Sequence, residues 1–312
     1  MKTPTIFTLS LLSLTPSILA QCTDPVPCQD ESLNALNTTA CQTYHAFIAR
    51  GSDSGYPGHL GPLAKLVCGN LTSSADSNTT CGYENIVYPA NSSWSGPTTD
   101  IWCKSAAIGA QAGQEQLREY ADRCPDAKLI LLGFSQGGSV ALDVLGGGGG
   151  VVFNCTQEDN AALDPESSPG SHIVAAAIFG AVHRSAHQPY SVQNGGQNYN
   201  GSTPRSAAQL SDLAKYKDVL REYCNVGDPI CAPSSPDQAP VNHLNYFEKY
   251  NDDAAEFIVA KARGNDSAEN GTSGDSGDAG DVQQGSVDGG AGGLKVEGLA
   301  WVVGFGVIVL GL

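Results

Sequence analysis

Basic residues are scarce in this sequence. The 312 residues include 16 Lys and Arg against 32 Asp and Glu, which gives a formal net charge of -16 at pH 7. Nucleic acids are bound by basic surfaces, because their phosphates have to be neutralised. The composition therefore argues against nucleic acid as a partner and indicates a soluble protein that repels anionic polymers.

Long apolar runs are also missing. Residues 1–20 have Lys2 and then an apolar stretch too short for a membrane anchor, and the small residues Ser17 and Ala20 permit cleavage before Gln21. We therefore predict a signal peptide over residues 1–20, followed by a polar, loosely held arm over residues 21–38.

Aromatic residues are absent from residues 264–293, which consist mainly of Gly, Ser and Asp and cannot form a packed core. This segment is predicted to be a disordered linker. Residues 298–312 are apolar but short for a spanning helix. Together with the polar spacer, residues 294–312 match a GPI-attachment signal, with Gly289 as the first candidate attachment residue. A tail that is retained as a membrane anchor is the alternative.

Cysteine and glycosylation sites are plentiful. Ten cysteines in a chain with an expected signal peptide predict a disulfide framework. Eight N-x-[ST] sequons fit a glycosylated protein that is secreted or at the cell surface, although any one sequon can be unoccupied. They begin at Asn37, Asn70, Asn78, Asn91, Asn154, Asn200, Asn265 and Asn270.

Strand-like and helix-like segments alternate between the two ends. Predicted strands are residues 43–49, 84–89, 129–132 and 173–179, and predicted helices are 60–68, 100–124, 139–145, 207–223 and 253–263. A fifth strand lies either within 217–223, if the helix there is shorter, or near Val226. The alternation predicts an α/β fold whose mostly parallel sheet is covered on both faces. In such sheets the ligand site lies at the carboxyl ends of the strands.

Residues 128–138 read K-L-I-L-L-G-F-S-Q-G-G, which joins an apolar run to a G-x-S-x-G motif. Buried strand, tight turn and helix are the context in which this motif presents a nucleophilic serine, here Ser135. An ordinary strand-to-helix turn is the alternative interpretation.

A nucleophilic serine needs a histidine base and an acid that orients the base. After such a turn the usual order is serine, acid, histidine, and only His243 follows a suitable acid, Asp228. Cys224 and Cys231 bracket this acid and can close a small loop that holds it rigidly. Without them, Asp228 would be read as a turn residue before a proline.

The other five histidines have different expected places. His45 is predicted to be a core residue of the first strand, and His59 to lie near the site in a glycine-rich turn. His172 introduces the fourth strand, and His183 and His187 belong to a polar loop over residues 183–205. No metal-ligand cluster is visible, so neither a metal nor a cofactor is expected.

Ser135 in G-F-S-Q-G, Asp228 in C-N-V-G-D-P-I-C and the downstream His243 together resemble the cutinase and acetylxylan esterase family of secreted fungal serine esterases, carbohydrate esterase family 5. The resemblance covers residues 39–263; the linker and the tail lie outside it. It implies a three-layer α/β-hydrolase fold with a five-stranded parallel sheet and no lid. It also implies that these three residues are catalytic and that Ser52 and the main-chain N–H of Gln136 form the oxyanion hole.

The resemblance further pairs Cys41 with Cys124. The remaining cysteines are assigned less firmly, and a different pairing among them stays open. The pairs that we expect are Cys68 with Cys81, Cys103 with Cys155, and Cys22 with Cys28.

The ester is less well defined than the reaction. Val241 and Leu244 beside His243 suit the aliphatic chains of cutin, whereas the polar loop and several tyrosines suit an acetylated polysaccharide such as xylan. Those tyrosines are Tyr56, Tyr190, Tyr199 and Tyr246. We favour deacetylation of acetylated plant polysaccharide by a monomeric enzyme. Cutinase-like hydrolysis is the alternative, and an inactive cell-wall glycan-binding protein is the third interpretation.

Overall fold

A computed structural model describes residues 31–73, 78–92, 100–192 and 196–264. All of these residues fall in one unit of the chain, which ends at Asn270. Several predicted features lie outside the described residues: the signal peptide, the linker, the C-terminal tail, Cys22, Cys28, Asn265, Asn270 and Gly289.

Within the described residues, seven strands form two sheets. In chain order they are β1 (Tyr44–Ala49), β2 (Cys81–Asn85), β3 (Lys128–Phe134), β4 (Gly148–Val152), β5 (Cys155–Asn160), β6 (Ile173–Phe179) and β7 (Leu220–Tyr223). Five of them form a parallel sheet in the order β2-β1-β3-β6-β7, and β4 and β5 form an antiparallel hairpin. The helices are α1 (Glu31–Asn34), α2 (Gly61–Ser73), α3 (Ile101–Arg123), α4 (Gln136–Gly146), α5 (Ala207–Ala214), α6 (Val241–Leu244), α7 (Tyr246–Lys249) and α8 (Asn251–Arg263).

β3 is the central strand because its side chains are apolar on both faces. Leu129 and Leu131 pack in one core layer with buried residues of α3 and α4. Ile130 and Leu132 pack in the other layer with residues of α2 and α8. The predicted five-stranded parallel sheet with helices on both faces is therefore confirmed.

The predicted second strand, residues 84–89, is wrong in position. β2 ends at Asn85, and its Tyr83 pairs with Ala46 of β1. Ile86 and Tyr88 beyond it are buried under α3. The N–H of Ile86 still donates to the carbonyl oxygen of Ile48 in β1 at 2.9 Å, but the strand does not continue past Asn85. The apolar character of Ile86 and Tyr88 reflects burial of an irregular segment, which a sequence pattern does not distinguish from a strand.

The predicted helix over residues 207–223 is wrong in its second half. α5 ends at Ala214, and Leu220–Tyr223 forms β7 beside β6. Between them the N–H of Val219 donates to the carbonyl oxygen of Tyr216 in a turn at 2.9 Å. Of the two places left open for the fifth strand, the one within residues 217–223 is correct.

Two further segments are more ordered than expected. The glycine run 146–150, predicted only to stop a helix, enters β4, with φ angles of 107° at Gly149 and 93° at Gly150 that glycine adopts readily. In the predicted loose arm, Leu33 of α1 is buried, and the N–H of Thr38 donates to the carbonyl oxygen of Tyr83 at 3.0 Å. Residues 31–38 thus pack against the edge of the sheet.

Four disulfides link the described residues, and no cysteine among these residues is free. Such bonds fit an extracellular protein. They join Cys41 to Cys124, Cys68 to Cys81, Cys103 to Cys155 and Cys224 to Cys231. In the part of the chain that the structure describes, no helix has both the length and the apolar character that a membrane span requires.

Candidate active site

Ser135 lies on a sharp turn between β3 and α4. Its φ and ψ angles are 56° and -119°, a conformation that costs on the order of 1–3 kcal/mol for a residue with a side chain and is typical of functional sites. Gly137 allows the turn to pack closely, because a Cβ atom there would overlap the carbonyl oxygen atoms of Ala49 and Arg50. The turn presents the Ser135 hydroxyl at the carboxyl end of the central strand.

His243, in α6, connects Ser135 to Asp228. Its Nε2 atom lies 2.9 Å from Oγ of Ser135, and its Nδ1 atom lies 2.8 Å from Oδ2 of Asp228. Because an ionised carboxylate only accepts hydrogen bonds, Nδ1 carries the imidazole proton and Nε2 can accept the serine proton. The structure brings these three predicted residues together in the geometry of a nucleophile, a base and an orienting acid.

The carboxylate of Asp228 is fully buried and has four hydrogen-bond donors. Its Oδ1 atom accepts the N–H groups of Ile230 at 2.7 Å and Cys231 at 3.2 Å. Its Oδ2 atom accepts from His243 and from the hydroxyl of Tyr246 at 2.5 Å. Burial alone would raise the pKa of Asp228, but the hydrogen bond and charge of His243, followed by the other donors, hold the pKa below its usual value. The carboxylate is therefore ionised at neutral pH.

Arg184 supports the loop that carries Asp228. Its buried guanidinium forms an ion pair with Glu222 at 2.9 Å and donates to the carbonyl oxygen of Cys231 at 3.2 Å. Arg184 belongs to the polar loop 183–205. This loop therefore braces the loop that carries Asp228, residues 224–231, which we call the acid loop. The sequence does not mark Arg184 as important, because these two partners are 38 and 47 residues away in the chain.

Ser52 lies half-buried in the loop after β1. The main chain of this loop passes close to the nucleophile, since a Cβ atom at Gly51 would lie 2.9 Å from Cδ1 of Phe134 and 3.5 Å from Cβ of Ser135. The loop is thus near enough to Ser135 to contribute donors to a bound ester.

Arg50 fixes the same loop. Its Nη1 atom donates to the carbonyl oxygen of Ser54 at 2.6 Å, and its Nη2 atom donates to those of Tyr88 and Pro89 at 3.1 and 3.0 Å. Its guanidinium carbon also lies 4.3 Å from the ring centroid of Tyr56. These contacts hold the loop rigidly, which an oxyanion hole requires.

Gln136, the residue after Ser135, has a fully buried side chain. Its Nε2 atom donates to the carbonyl oxygen of Asn91 at 3.0 Å, and its Oε1 atom accepts from the hydroxyl of Ser105 at 3.1 Å. Because the side chain is bound in this way, Gln136 can serve an oxyanion only through its main-chain N–H.

His59 is the second imidazole near the triad, as its place in the sequence predicts. Its ring centroid is 5.3 Å from that of Phe134, whose own ring is stacked 5.1 Å from His243. Burial, and then the positive charge of His243, lower the pKa of His59. Among the observed hydrogen bonds, none joins His59 to Ser135, Asp228 or His243.

The remaining histidines lie away from Ser135. His45 is buried in β1, as predicted, and burial followed by the charge of Arg123 lowers its pKa to about 3. His172 places Nδ1 3.1 Å from a main-chain carbonyl oxygen. His183 is buried, and His187 is exposed. In the described ranges, no three His, Cys, Asp or Glu side chains converge as a metal site would require.

Two of the four tyrosines expected to line a sugar groove are buried, namely Tyr190 and Tyr246. Tyr199 is partly buried against the core, and Tyr56 is exposed with its hydroxyl bound to the main chain of Tyr88 at 3.1 Å. The expectation is therefore wrong for Tyr190 and Tyr246, because tyrosine serves both cores and binding surfaces and its burial cannot be read from composition.

Exposed side chains that flank the triad are apolar instead. Val226 of the acid loop and Val241 and Leu244 of α6 are 40%, 58% and 54% exposed. These three side chains come from the two segments that carry Asp228 and His243, and we call them the valine-leucine rim.

Residues 40–262 match the sequence model of the family described as cutinase. The chain belongs to the cutinase family. It is 31% identical to an acetylxylan esterase of Hypocrea jecorina, over 70% of this chain and 67% of that protein. It is 29% identical to cutinase 11 of Verticillium dahliae, over 74% of this chain and 72% of that one.

A solved structure shows the same fold as this cutinase-family chain. The catalytic core domain of acetyl xylan esterase from Trichoderma reesei superposes with a TM-score of 0.55 and 26% identity, over 71% of this chain and all of that one. The resemblance and the α/β-hydrolase fold that the sequence predicts are confirmed. The protein is a carboxylic ester hydrolase.

Proposed function

We propose that this hydrolase works through an acyl-enzyme on Ser135, with His243 as the base and Asp228 as the acid that orients it. The hydrogen-bond chain from Ser135 through His243 to Asp228 carries this proposal. A serine hydroxyl is a weak nucleophile at neutral pH, and this chain provides the base that activates it.

In the first step Oγ of Ser135 attacks the ester carbonyl carbon while Nε2 of His243 takes the hydroxyl proton. The imidazolium then gives this proton to the leaving alcohol, which departs and leaves an acyl group on Ser135. A water molecule, deprotonated by His243, attacks the acyl carbon, and the imidazolium then returns its proton to Oγ of Ser135 as the bond to the acyl group breaks and the carboxylic acid leaves. Asp228 stays ionised throughout and stabilises each imidazolium.

The oxyanion formed in each step is assigned to donors on two sides of the serine. These are the N–H and hydroxyl of Ser52 and the N–H of Gln136. The braced loop at Arg50 and the buried side chain of Gln136 support this assignment, because donors for an oxyanion work best when they are fixed before the reaction.

Acetyl groups on plant polysaccharide such as xylan are the substrate that we favour. The support is the similarity to the acetylxylan esterase of Hypocrea jecorina and to the solved core domain named acetyl xylan esterase. No cofactor is assigned, and the enzyme is proposed to act as a monomer.

Hydrolysis of cutin and other aliphatic esters is the second candidate. The valine-leucine rim favours it, because three exposed apolar side chains on the segments that carry Asp228 and His243 can cover an aliphatic chain. The similarity to cutinase 11 points the same way.

The two candidates are separated by comparing acetate release from acetylated xylan with hydrolysis of cutin and of a long-chain 4-nitrophenyl ester. Acetate release with weak long-chain activity is expected. Strong long-chain activity without acetate release would reverse our preference.

The mechanism is tested with a serine-directed phosphonate. Wild-type protein and a control with the exposed Ser171→Ala substitution should be labelled, and Ser135→Ala should not. Failure to label the folded wild type would contradict the mechanism and favour the third interpretation, an inactive glycan-binding scaffold.

We propose the cellular location of the protein from the two ends of the chain. We assign a cleaved signal peptide to residues 1–20 and a GPI-attachment signal to 294–312, with the esterase domain over 39–263. All six sequon asparagines in the described ranges are exposed, which supports glycosylation. Release from intact cells by a phosphatidylinositol-specific phospholipase is expected, and continued retention would favour a membrane-anchored tail.

A further inference from the structure

The hydroxyl of Tyr246 lies directly against the carboxylate of the proposed triad. It donates to Oδ2 of Asp228 at 2.5 Å, and the same oxygen accepts Nδ1 of His243 at 2.8 Å. Because the other carboxylate oxygen is bound by two main-chain N–H groups, Tyr246 provides the only side-chain donor to Asp228, besides His243, among the described residues.

We infer that Tyr246 is a positioning residue for catalysis, which fixes the Asp228 carboxylate toward His243 and moderates its negative charge. This inference rests on the proposed function, because it assumes that Asp228 orients the base. Tyr246 was expected in a sugar groove from the sequence, but it is completely buried.

The phenol is held as a donor by its own surroundings. The N–H of Asn225 donates to its oxygen at 3.0 Å, so the phenol proton is directed toward the carboxylate. Burial, and then the charge of Asp228, raise the pKa of Tyr246 well above its usual value. The phenol therefore keeps its proton over the whole range in which such an enzyme works.

The ring of Tyr246 is held as firmly as its hydroxyl. Its centroid lies 6.2 Å from that of Phe134 and 6.1 Å from that of Phe179. A Cβ atom at Gly180 would lie only 3.0 Å from both Tyr246 and His243. The same packing that places the imidazole thus places the phenol.

A hydrogen bond from the phenol draws negative charge away from Oδ2, the oxygen that faces His243. A carboxylate without this bond attracts the imidazole proton more strongly, so the imidazolium would persist to higher pH. The other titratable or charged groups that face this cluster are His59, Arg184 and Tyr250. They are unchanged by a substitution that removes only the phenol oxygen.

Tyr246→Phe tests the inference in the full-length enzyme, with 4-nitrophenyl acetate as substrate. We expect kcat to fall roughly tenfold, because the Asp228 carboxylate loses the donor that fixes its orientation toward His243, and a small misplacement of a catalytic group has an effect of this size or larger. KM should stay nearly constant, because Tyr246 is buried. The acid limb of the kcat profile should move up by about 0.5 pH unit.

Tyr223→Phe is the matched control. Tyr223 is also buried against Phe179, and its hydroxyl donates to a carboxylate, that of Asp253, at 2.6 Å. This variant should lose a similar amount of stability without any shift of the pH profile. Equal pH profiles for Tyr246→Phe and wild type would overturn the inference and leave Tyr246 with a structural role.

If Tyr246→Phe does not fold, a second variant tests the inference. Site-specific replacement of Tyr246 by 3-fluorotyrosine keeps the ring and the hydroxyl and makes the hydroxyl a stronger donor. The acid limb should then move to lower pH, and an unmoved limb would also overturn the inference. Ser135→Ala separates the two proposals: if it keeps its activity, the proposed mechanism itself has failed.

Discussion

The Nε2 atom of His243 lies 2.9 Å from the Oγ atom of Ser135, although 108 positions separate the two residues in the chain. Ser135 is fixed by the strand-turn-helix at the centre of the sheet. His243 is fixed by Asp228, whose own loop is fixed by Arg184 and by the bond between Cys224 and Cys231. The contact therefore depends on two independently braced segments.

Removal of the Ser52 hydroxyl should weaken catalysis without weakening binding. Loss of one oxyanion-hole donor lowers kcat by roughly 10²–10³, and Ser52→Ala should show such a loss with little change in KM. Ser52→Thr keeps a hydroxyl and should recover part of the activity. Steady-state kinetics with 4-nitrophenyl acetate give both constants, and full activity of Ser52→Ala would exclude the Ser52 hydroxyl as an oxyanion donor and leave only the main-chain N–H of this residue in that role.

Arg184→Met should destabilise the protein strongly. It leaves the carboxylate of Glu222 buried without its charged partner, which costs about 3–5 kcal/mol of unfolding free energy. The double variant with Glu222→Leu should recover part of this loss. Urea unfolding followed by circular dichroism measures both.

The exposed pair of Lys104 and Asp100 provides the comparison for this ion pair. Lys104→Met should leave the unfolding midpoint nearly unchanged, because exposed ion pairs contribute little. If Arg184→Met changed the unfolding midpoint equally little, the buried pair would not brace the acid loop.

Acidification should destabilise the fold through two buried histidines. Burial is the main cause that lowers the pKa of His45 and of His183 to about 3. In the unfolded chain, histidine takes up a proton below about pH 6.5, so stability is retained above that pH and is lost as the pH falls toward 3. Over this range the free energy of unfolding falls by about 1.4 kcal/mol per pH unit for each such histidine.

His45→Phe should therefore make unfolding less dependent on pH between 6.5 and 5. His45 is stacked 4.0 Å from Tyr120, and neither ring nitrogen has a hydrogen-bond partner among the described residues, so phenylalanine can replace the ring. Urea unfolding at both pH values is the measurement, with the exposed His187→Asn as control. An unchanged pH dependence in His45→Phe would show that His45 titrates normally.

Polar replacement of the valine-leucine rim should change the preference for the acyl chain. Val241→Ser combined with Leu244→Ser should lower kcat/KM for a long-chain 4-nitrophenyl ester roughly tenfold, since pocket contacts discriminate by about this amount. Hydrolysis of the acetate ester should be nearly unaffected, because a two-carbon acyl group does not reach the rim. Equal losses for both esters would mean that the rim positions His243 rather than the acyl chain.

The centre of this fold is readable from the sequence, because the apolar runs of β3 and β6 are buried on both faces and have no other stable environment. The Ser135 turn is readable for a similar reason, since a glycine such as Gly137 is required by a local close approach. The acid loop is marked by its two cysteines. Each of these signals is contained within a few consecutive residues.

Other parts could not be predicted because they depend on contacts between remote segments. β7 exists only because Leu220 and its neighbours pair with β6, and the sequence there fits a helix equally well. Nothing in the sequence distinguishes Tyr246 from a surface tyrosine, although the folded chain buries it as a hydrogen-bond donor. Arg184 becomes important only when Glu222 and Cys231 are brought to it by the folded chain.

The position of the last helix, α8, determines where this domain can be attached to a solid support. The Nζ atom of Lys128, the first residue of β3, donates to the carbonyl oxygen of Ala262 near the end of α8 at 2.8 Å. Ser135 lies just beyond the other end of the same strand, about 20 Å away along seven extended residues. A support coupled at Gly264 is therefore joined at the end of the strand opposite to Ser135. The domain is suited to immobilisation through the C-terminal end of α8, with Ser135 on the side away from the support.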